Sequence, residues 1–175
     1  MIFWHLGGAL FLFRWIFRDA EADMRFLLLG ALIPDLIDMP VGTLSARYSS
    51  GELWFHTLAA AGLTLVAGIV FTNRRGIWRK RFVAVAIGMF FHLLLDGMWT
   101  STDVFLWPFA GWEFPTGPTP YWSGLWQRAF GDPVRWVQAG AGLAYLAWIW
   151  RIARLSDPVR RVQLLKTGRI DDHRF

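Results

Sequence analysis

Three histidines and three aspartates stand inside strongly apolar stretches of this chain: His5, Asp35, Asp38, His56, His92 and Asp96. Imidazole nitrogens and carboxylate oxygens form a donor set suited to zinc, iron or manganese. Holding a metal is also one of the few ways to bury such charges without a large penalty. His92 and Asp96 have i, i+4 spacing and Asp35 and Asp38 have i, i+3 spacing, so each pair shares one face if its stretch is helical. Pro34, just ahead of Asp35, predicts a kink or break at that point. Taken singly, each residue has a plainer reading: His5 and His56 as interfacial groups, Asp38 as a helix cap, His92 and Asp96 as a hydrogen-bonded pair locking two helices. The chemistry rests on the set.

What would position the set is a membrane bundle. Of 175 residues, 55% are hydrophobic and only 18% charged, with twelve tryptophans and fifteen phenylalanines. That charged share falls below the quarter or so usual for soluble domains, and the mean hydropathy of +0.35 agrees. With no cysteine there is no disulfide, no thiolate zinc site and no thiol nucleophile. The net charge of +5 fits basic loops facing anionic lipid better than nucleic-acid binding. The apolar segments leave no soluble surface for such a partner.

Residues 53–72 and 134–153 read as full spans, and 82–99 comes close to the required length. Residues 2–17 and 26–39 are shorter and read as tilted, partly inserted or protein-buried helices. The first of these lacks a basic leader and a cleavage site, so it reads as a retained helix and not a signal peptide. The expected fold is therefore all-α, a polytopic bundle of about four to five helices, since lipid-exposed backbone must satisfy its own hydrogen bonds. Residues 1–155 form the membrane domain and 156–175 a basic cytoplasmic tail ending in a frayed polar segment.

Loop 73–81, with five basic residues and no acid, and the stretch 151–169, with six basic residues against Asp157, mark the cytoplasmic side. On that topology the six polar residues all fall near the opposite, outer face, a coincidence not used to set the topology. Asp19, Glu21 and Asp23 fall on the wrong side and read as solvated turn residues, and His173 as tail. Asp103 and Glu113 fall in loop 100–133, rich in Pro, Gly and Trp. That loop is either a lid over a site or an interfacial anchor.

The succession of an N-terminal His, "GALIPDLID", an "HT" pair, "HLLLD" and "LWPF" resembles the membrane-bound metal-dependent hydrolases of bacteria and archaea. These are also described as LexA-binding, inner-membrane-associated hydrolases. The resemblance covers roughly residues 1–110, and the family is more distantly similar to zinc-dependent phospholipases C. It implies a cytoplasmic (inner) membrane location and zinc as the metal. His5, Asp35, His56, His92 and Asp96 would be the ligands, with Asp38 a ligand or a group behind one. The chain departs from the family at "LWFHTLAAAG", which lacks the neighbouring histidine or arginine that many members carry.

The expected function is hydrolysis of a lipid-like or phosphoester substrate by metal-activated water near the outer leaflet, with Asp38 or Asp35 as general base. Membrane lipids would be its surroundings and an amphiphile its substrate. The rival reading is a non-enzymatic membrane protein that moves a metal or protons, or acts as a scaffold. Against transport, no polar path leads from the cluster toward the basic side.

Overall fold

The computed structural model describes residues 1–45, 47–117 and 121–170. These residues are helical apart from loops and one isolated bridge between Tyr48 and Thr116. Five longer helices make the frame: α1 (Ile2–Ile16), α3 (Ile33–Leu44), α4 (Leu58–Phe71), α5 (Ile77–Leu95) and α8 (Pro133–Ile152). Between them lie α2 (Met24–Gly30), α6 (Thr102–Phe105), α7 (Leu125–Phe130) and the final α9 (Pro158–Thr167). The all-helical expectation holds.

Among the described residues, one helical stretch, Met24–Leu44, is long and apolar enough to cross a membrane by length and composition. It is not continuous: α2 ends at Gly30 and α3 begins at Ile33, with Pro34 in its first turn. Proline lacks an N–H and is best accommodated in the first turn of a helix. Pro34 stands there, and the break predicted at this point is present, while Pro40 is carried inside α3. The expected span 53–72 is shorter in the structure. Trp54–His56 forms a 3-10 turn, and Thr57 caps α4 by accepting from Ala60 N. The 82–99 helix is shifted instead: it starts within the basic loop, at Ile77, and stops at Leu95.

Glycines set how closely the helices approach. A Cβ on Gly7 would lie 2.3 Å from Gly142 O, and one on Gly142 would lie 2.1 Å from Phe3 O. Hence α1 and α8 touch backbone to backbone, as membrane helices do where small residues face each other. The same holds for α2 and α5, where a Cβ on Gly88 would lie 2.1 Å from Leu27 O. Gly88 is one turn before His92, so this contact brings His92 against the α2–α3 break. Gly88→Ala is therefore expected to cost about 3 kcal/mol, at the upper end of overpacking penalties, because backbone must move. Gly62→Ala and Gly140→Ala, which meet nothing within 4 Å, are expected to be neutral. Thermal unfolding of the three variants in detergent separates these outcomes.

Two apolar clusters fill the interior. One joins α1, α2, α5 and α8 around Ala9, Leu10, Phe13, Leu27 and Phe91. The other lies around Leu53, Met89, Leu93, Met98, Val104 and Phe114. It includes Trp107 of the "LWPF" stretch, stacked on Phe114 at 5.5 Å. Large apolar side chains also face outward in quantity: Leu63, Val66, Val70 and Phe71 on α4 are each more than half exposed, as are Trp136 and Val137 on α8.

Two expectations about the basic end differ from the structure. Asp23 is not a solvated turn residue. It is nearly buried, caps α2, and takes the Arg25 guanidinium at 2.7 Å with Arg81 at 3.5 Å. Burial pushes its carboxyl up, but the hydrogen bonds and charge of Arg25 outweigh that and leave it below the usual carboxylate range. Nor is the C-terminal segment a plain tail. Its α9 docks on the α1–α2 turn, where Met24 N donates to Gly168 O and Ile170 is buried. His173 lies outside the described residues.

Candidate metal centre

The site forms where four helix ends meet. His5 comes from the first turn of α1, Asp35 from the first turn of α3, and His56 from the turn before α4. His92 and Asp96 come from the last turn of α5. The structure thus gathers at one end of the bundle the six residues expected to share one depth. Arg74, Arg75 and Arg79 lie at the other end of α4 and α5, as the charge pattern predicted.

Two imidazoles are held in defined tautomers. His92 Nδ1 is 2.8 Å from Ala31 O. A carbonyl only accepts, so this nitrogen carries the proton. The carbonyl is available because the helix breaks there. His56 Nδ1 is 2.9 Å from Asp38 Oδ2. That carboxylate oxygen also accepts from the backbone N–H groups of Leu53 at 3.0 Å, Phe55 at 2.8 Å and His56 at 3.0 Å. His56 Nδ1 therefore donates as well. Each neutral ring is left with a lone pair on Nε2, and the two Nε2 atoms face each other at 3.2 Å.

Two carboxylates close the group. Asp96 Oδ2 is 3.0 Å from His92 Nε2 and 3.8 Å from His56 Nε2. Asp35 Oδ1 is 3.6 Å from His56 Nε2 and 3.8 Å from His92 Nε2. One ligand atom from each of Asp35, His56, His92 and Asp96 fits within 4.8 Å of the others. Four electron-pair donors this close need positive charge among them. An added proton serves one pair, such as His92 and Asp96, but the Asp35 distances are too long for hydrogen bonds. A tetrahedral zinc with ordinary bond lengths has ligand–ligand edges of about 3.4 Å, and the separations bracket that value. The residues fit a metal.

The remaining two expected residues stand behind this group. His5 Nε2 donates to the other Asp96 oxygen at 2.8 Å, and its ring stacks on His92 with centroids 4.0 Å apart. It holds Asp96 from outside the four. Asp38, expected as a base, is fully buried behind His56 with Oδ2 already holding four donors. Its place is that of a group that fixes a ligand's ring. Asp103 and Glu113 are exposed.

A cavity of about 350 Å³ opens over the cluster, within the size range of small-molecule sites. Asp35, His56 and Asp96 form its floor, and Glu52, Tyr121 and Arg135 contribute to its walls. The last three were missed in the sequence. Glu52 lies in an irregular loop with no periodicity to flag it, and Arg135 looks like an ordinary helix-end arginine. Burial raises the Glu52 carboxyl above the usual range, against the lowering charge of His56. From the segment between α5 and α8, Tyr121 and Asp132 line the cavity, and the chain there is tied to the turn before α4: Ser49 N donates to Pro115 O, and Tyr121 N donates to Tyr48 O.

A family model described as YdjM inner membrane protein matches residues 3–158. The chain belongs to that family, and membership supports an inner-membrane location. No curated protein and no solved structure matches the chain.

Proposed function

We propose that this member of an inner-membrane family is a multi-pass, metal-dependent hydrolase acting on a lipid-like or phosphoester substrate near the outer leaflet. One observation carries the reading: two imidazole Nε2 atoms with fixed tautomers, 3.2 Å apart, flanked by two carboxylates on the floor of a cavity. Asp35, His56, His92 and Asp96 would hold the ion, with zinc the metal that best suits four N/O donors at these separations. A divalent ion there supplies Lewis acidity, making water more acidic and drawing charge from a phosphoryl or acyl oxygen.

The rest falls to the chain's own groups. Asp38 and His5 hold His56 and Asp96 in place. Two cavity carboxyls stand outside the four-residue cluster, Glu52 and Asp132. Asp132 caps α8, and the raised proton affinity of Glu52 suits a group that takes a proton from water and passes it to a leaving oxygen. An amphiphilic substrate is supported by an apolar groove of about 360 Å³ between α1 and α8. Trp4 and Leu95 line both the groove and the polar cavity, so the two spaces adjoin. The multi-pass arrangement is supported by the outward-facing apolar residues of α4 and α8 and by the separation of basic loop from polar cluster.

The test is hydrolysis of a chromogenic phosphodiester and of short-chain phospholipids by the detergent-purified protein. Activity should disappear with a chelator and return with zinc. Glu52→Gln is expected to lower kcat about 100-fold, a usual effect for losing an acid–base group, while metal content is unchanged. If metal-loaded wild type cleaves neither phosphoesters nor acyl esters, the enzyme reading falls and a metal- or proton-handling role replaces it.

A further inference from the structure

Arg135 is the one lysine or arginine side chain that lines the cavity over the metal-type cluster, among the described residues. Three features of its position call for an explanation. First, it stands in the first turn of α8, where the positive end of the helix dipole disfavours a cation. It is not there to stabilise its own helix. Second, its ion pair is weak: Nε is 3.7 Å from Asp132 Oδ2, with both side chains nearly half exposed. Asp132 is occupied elsewhere, since its Oδ1 caps the helix by accepting from Val134 N at 2.9 Å. Third, the wall it belongs to is continuous with the reacting floor. Arg135 and Glu52 line the same cavity as Asp35, His56 and Asp96.

A cavity lined by Asp35, Glu52, Asp96 and Asp132 repels anions unless a cation faces them. Arg135 supplies one as a planar fork suited to two oxygens of a single phosphate. The N-terminus of the 20-residue α8 adds its partial positive charge on the same wall.

We propose that Arg135 is the anion-recognition residue of this cavity and that the substrate carries a phosphate, whose non-bridging oxygens it binds. This rests on the hydrolase reading for the word substrate, but the anion site itself does not depend on turnover. A neutral acyl ester or glycoside would leave the guanidinium with only its weak contact to Asp132. Arg135 is a specificity-determining residue under this assignment, and it acts on binding before it acts on rate.

The test is calorimetric binding to the detergent-purified full chain, using inorganic phosphate, dihexanoyl phosphatidylglycerol and neutral dihexanoylglycerol as probes. Wild type should bind the phosphatidylglycerol more tightly than the neutral glyceride. Arg135→Gln should weaken binding of the anionic probe about 10- to 100-fold, the range expected for a charged hydrogen-bond pair, and should leave the neutral probe unchanged. Arg135→Lys should recover part of the loss, since it keeps the charge without the fork. Binding of inorganic phosphate with the same Arg135 dependence assigns the site to phosphate as such. Anionic binding confined to the lipid assigns it to a phospholipid headgroup. Equal binding of anionic and neutral probes, or unchanged affinity in Arg135→Gln, overturns the proposal. Metal content measured on the same samples separates the two readings. Arg135-dependent anion binding without metal keeps this site and sinks the hydrolase; metal with Arg135-independent binding does the reverse.

Discussion

Elemental mass spectrometry of the detergent-purified protein is expected to find near-stoichiometric transition metal, and the His92→Ala/Asp96→Ala variant is expected to have lost it. The double substitution removes two of the four facing donors. It also removes the partner on which His5 Nε2 rests at 2.8 Å. Two ligands are too few to hold zinc against buffer and detergent. The fold should survive with reduced stability: the His5 ring and the Ala31 carbonyl lose a partner, but the helix packing through Gly7, Gly142 and Gly88 is untouched. Circular dichroism and gel filtration in detergent check that point. If wild type carries no metal, even after reconstitution with zinc, manganese or iron, the short Nε2 to Nε2 contact must be bridged by a proton. The cluster would then be a structural or proton-handling device.

Asp38→Ala is expected to be the most damaging single change in the chain, costing about 3 to 5 kcal/mol. Four donors converge on Asp38 Oδ2, three of them backbone N–H groups of residues 53, 55 and 56. Leu53 and His56 are themselves buried, so water cannot replace the lost acceptor without opening the loop. The same loss frees the His56 ring, so metal content should fall with stability. Asp38→Asn discriminates further. It keeps an acceptor oxygen for the backbone but weakens the partner of His56 Nδ1, so the fold should be largely retained while metal affinity falls about 10- to 100-fold. Thermal unfolding and competitive chelation, run on both variants, read the two effects separately. An Asp38→Ala variant as stable as wild type would show that the loop is held by other means.

Much of the site was legible because it depends on local spacing. The i, i+4 placement of His92 and Asp96, and of a proline ahead of Asp35, carries through to shared faces and a helix break whatever the rest of the chain does. Gathering the six polar residues at one end followed from charge alone, since the basic loops orient every helix. What spacing cannot carry is the order of groups around a centre. Asp35 and Asp38 are equivalent in sequence. Only the return of the chain at residues 53–56 makes one face the cavity and the other stand behind His56. Glu52 and Arg135 were missed for a related reason. They reach the cavity through loop 47–53 and through the packing of α8 on α1, and that packing depends on Gly7 and Gly142 meeting across a long sequence separation. The docking of α9 on Asp23 is likewise a tertiary contact that composition records only as basic charge.

The site also has an order in time. Every candidate donor, and both residues behind the donors, stands at or before Asp96 in the chain, so all six are synthesised before the wall that bears Arg135. The wall bearing Arg135 and the helix that completes the apolar groove are translated later. An ion can thus be captured by a nascent chain whose substrate chamber does not yet exist.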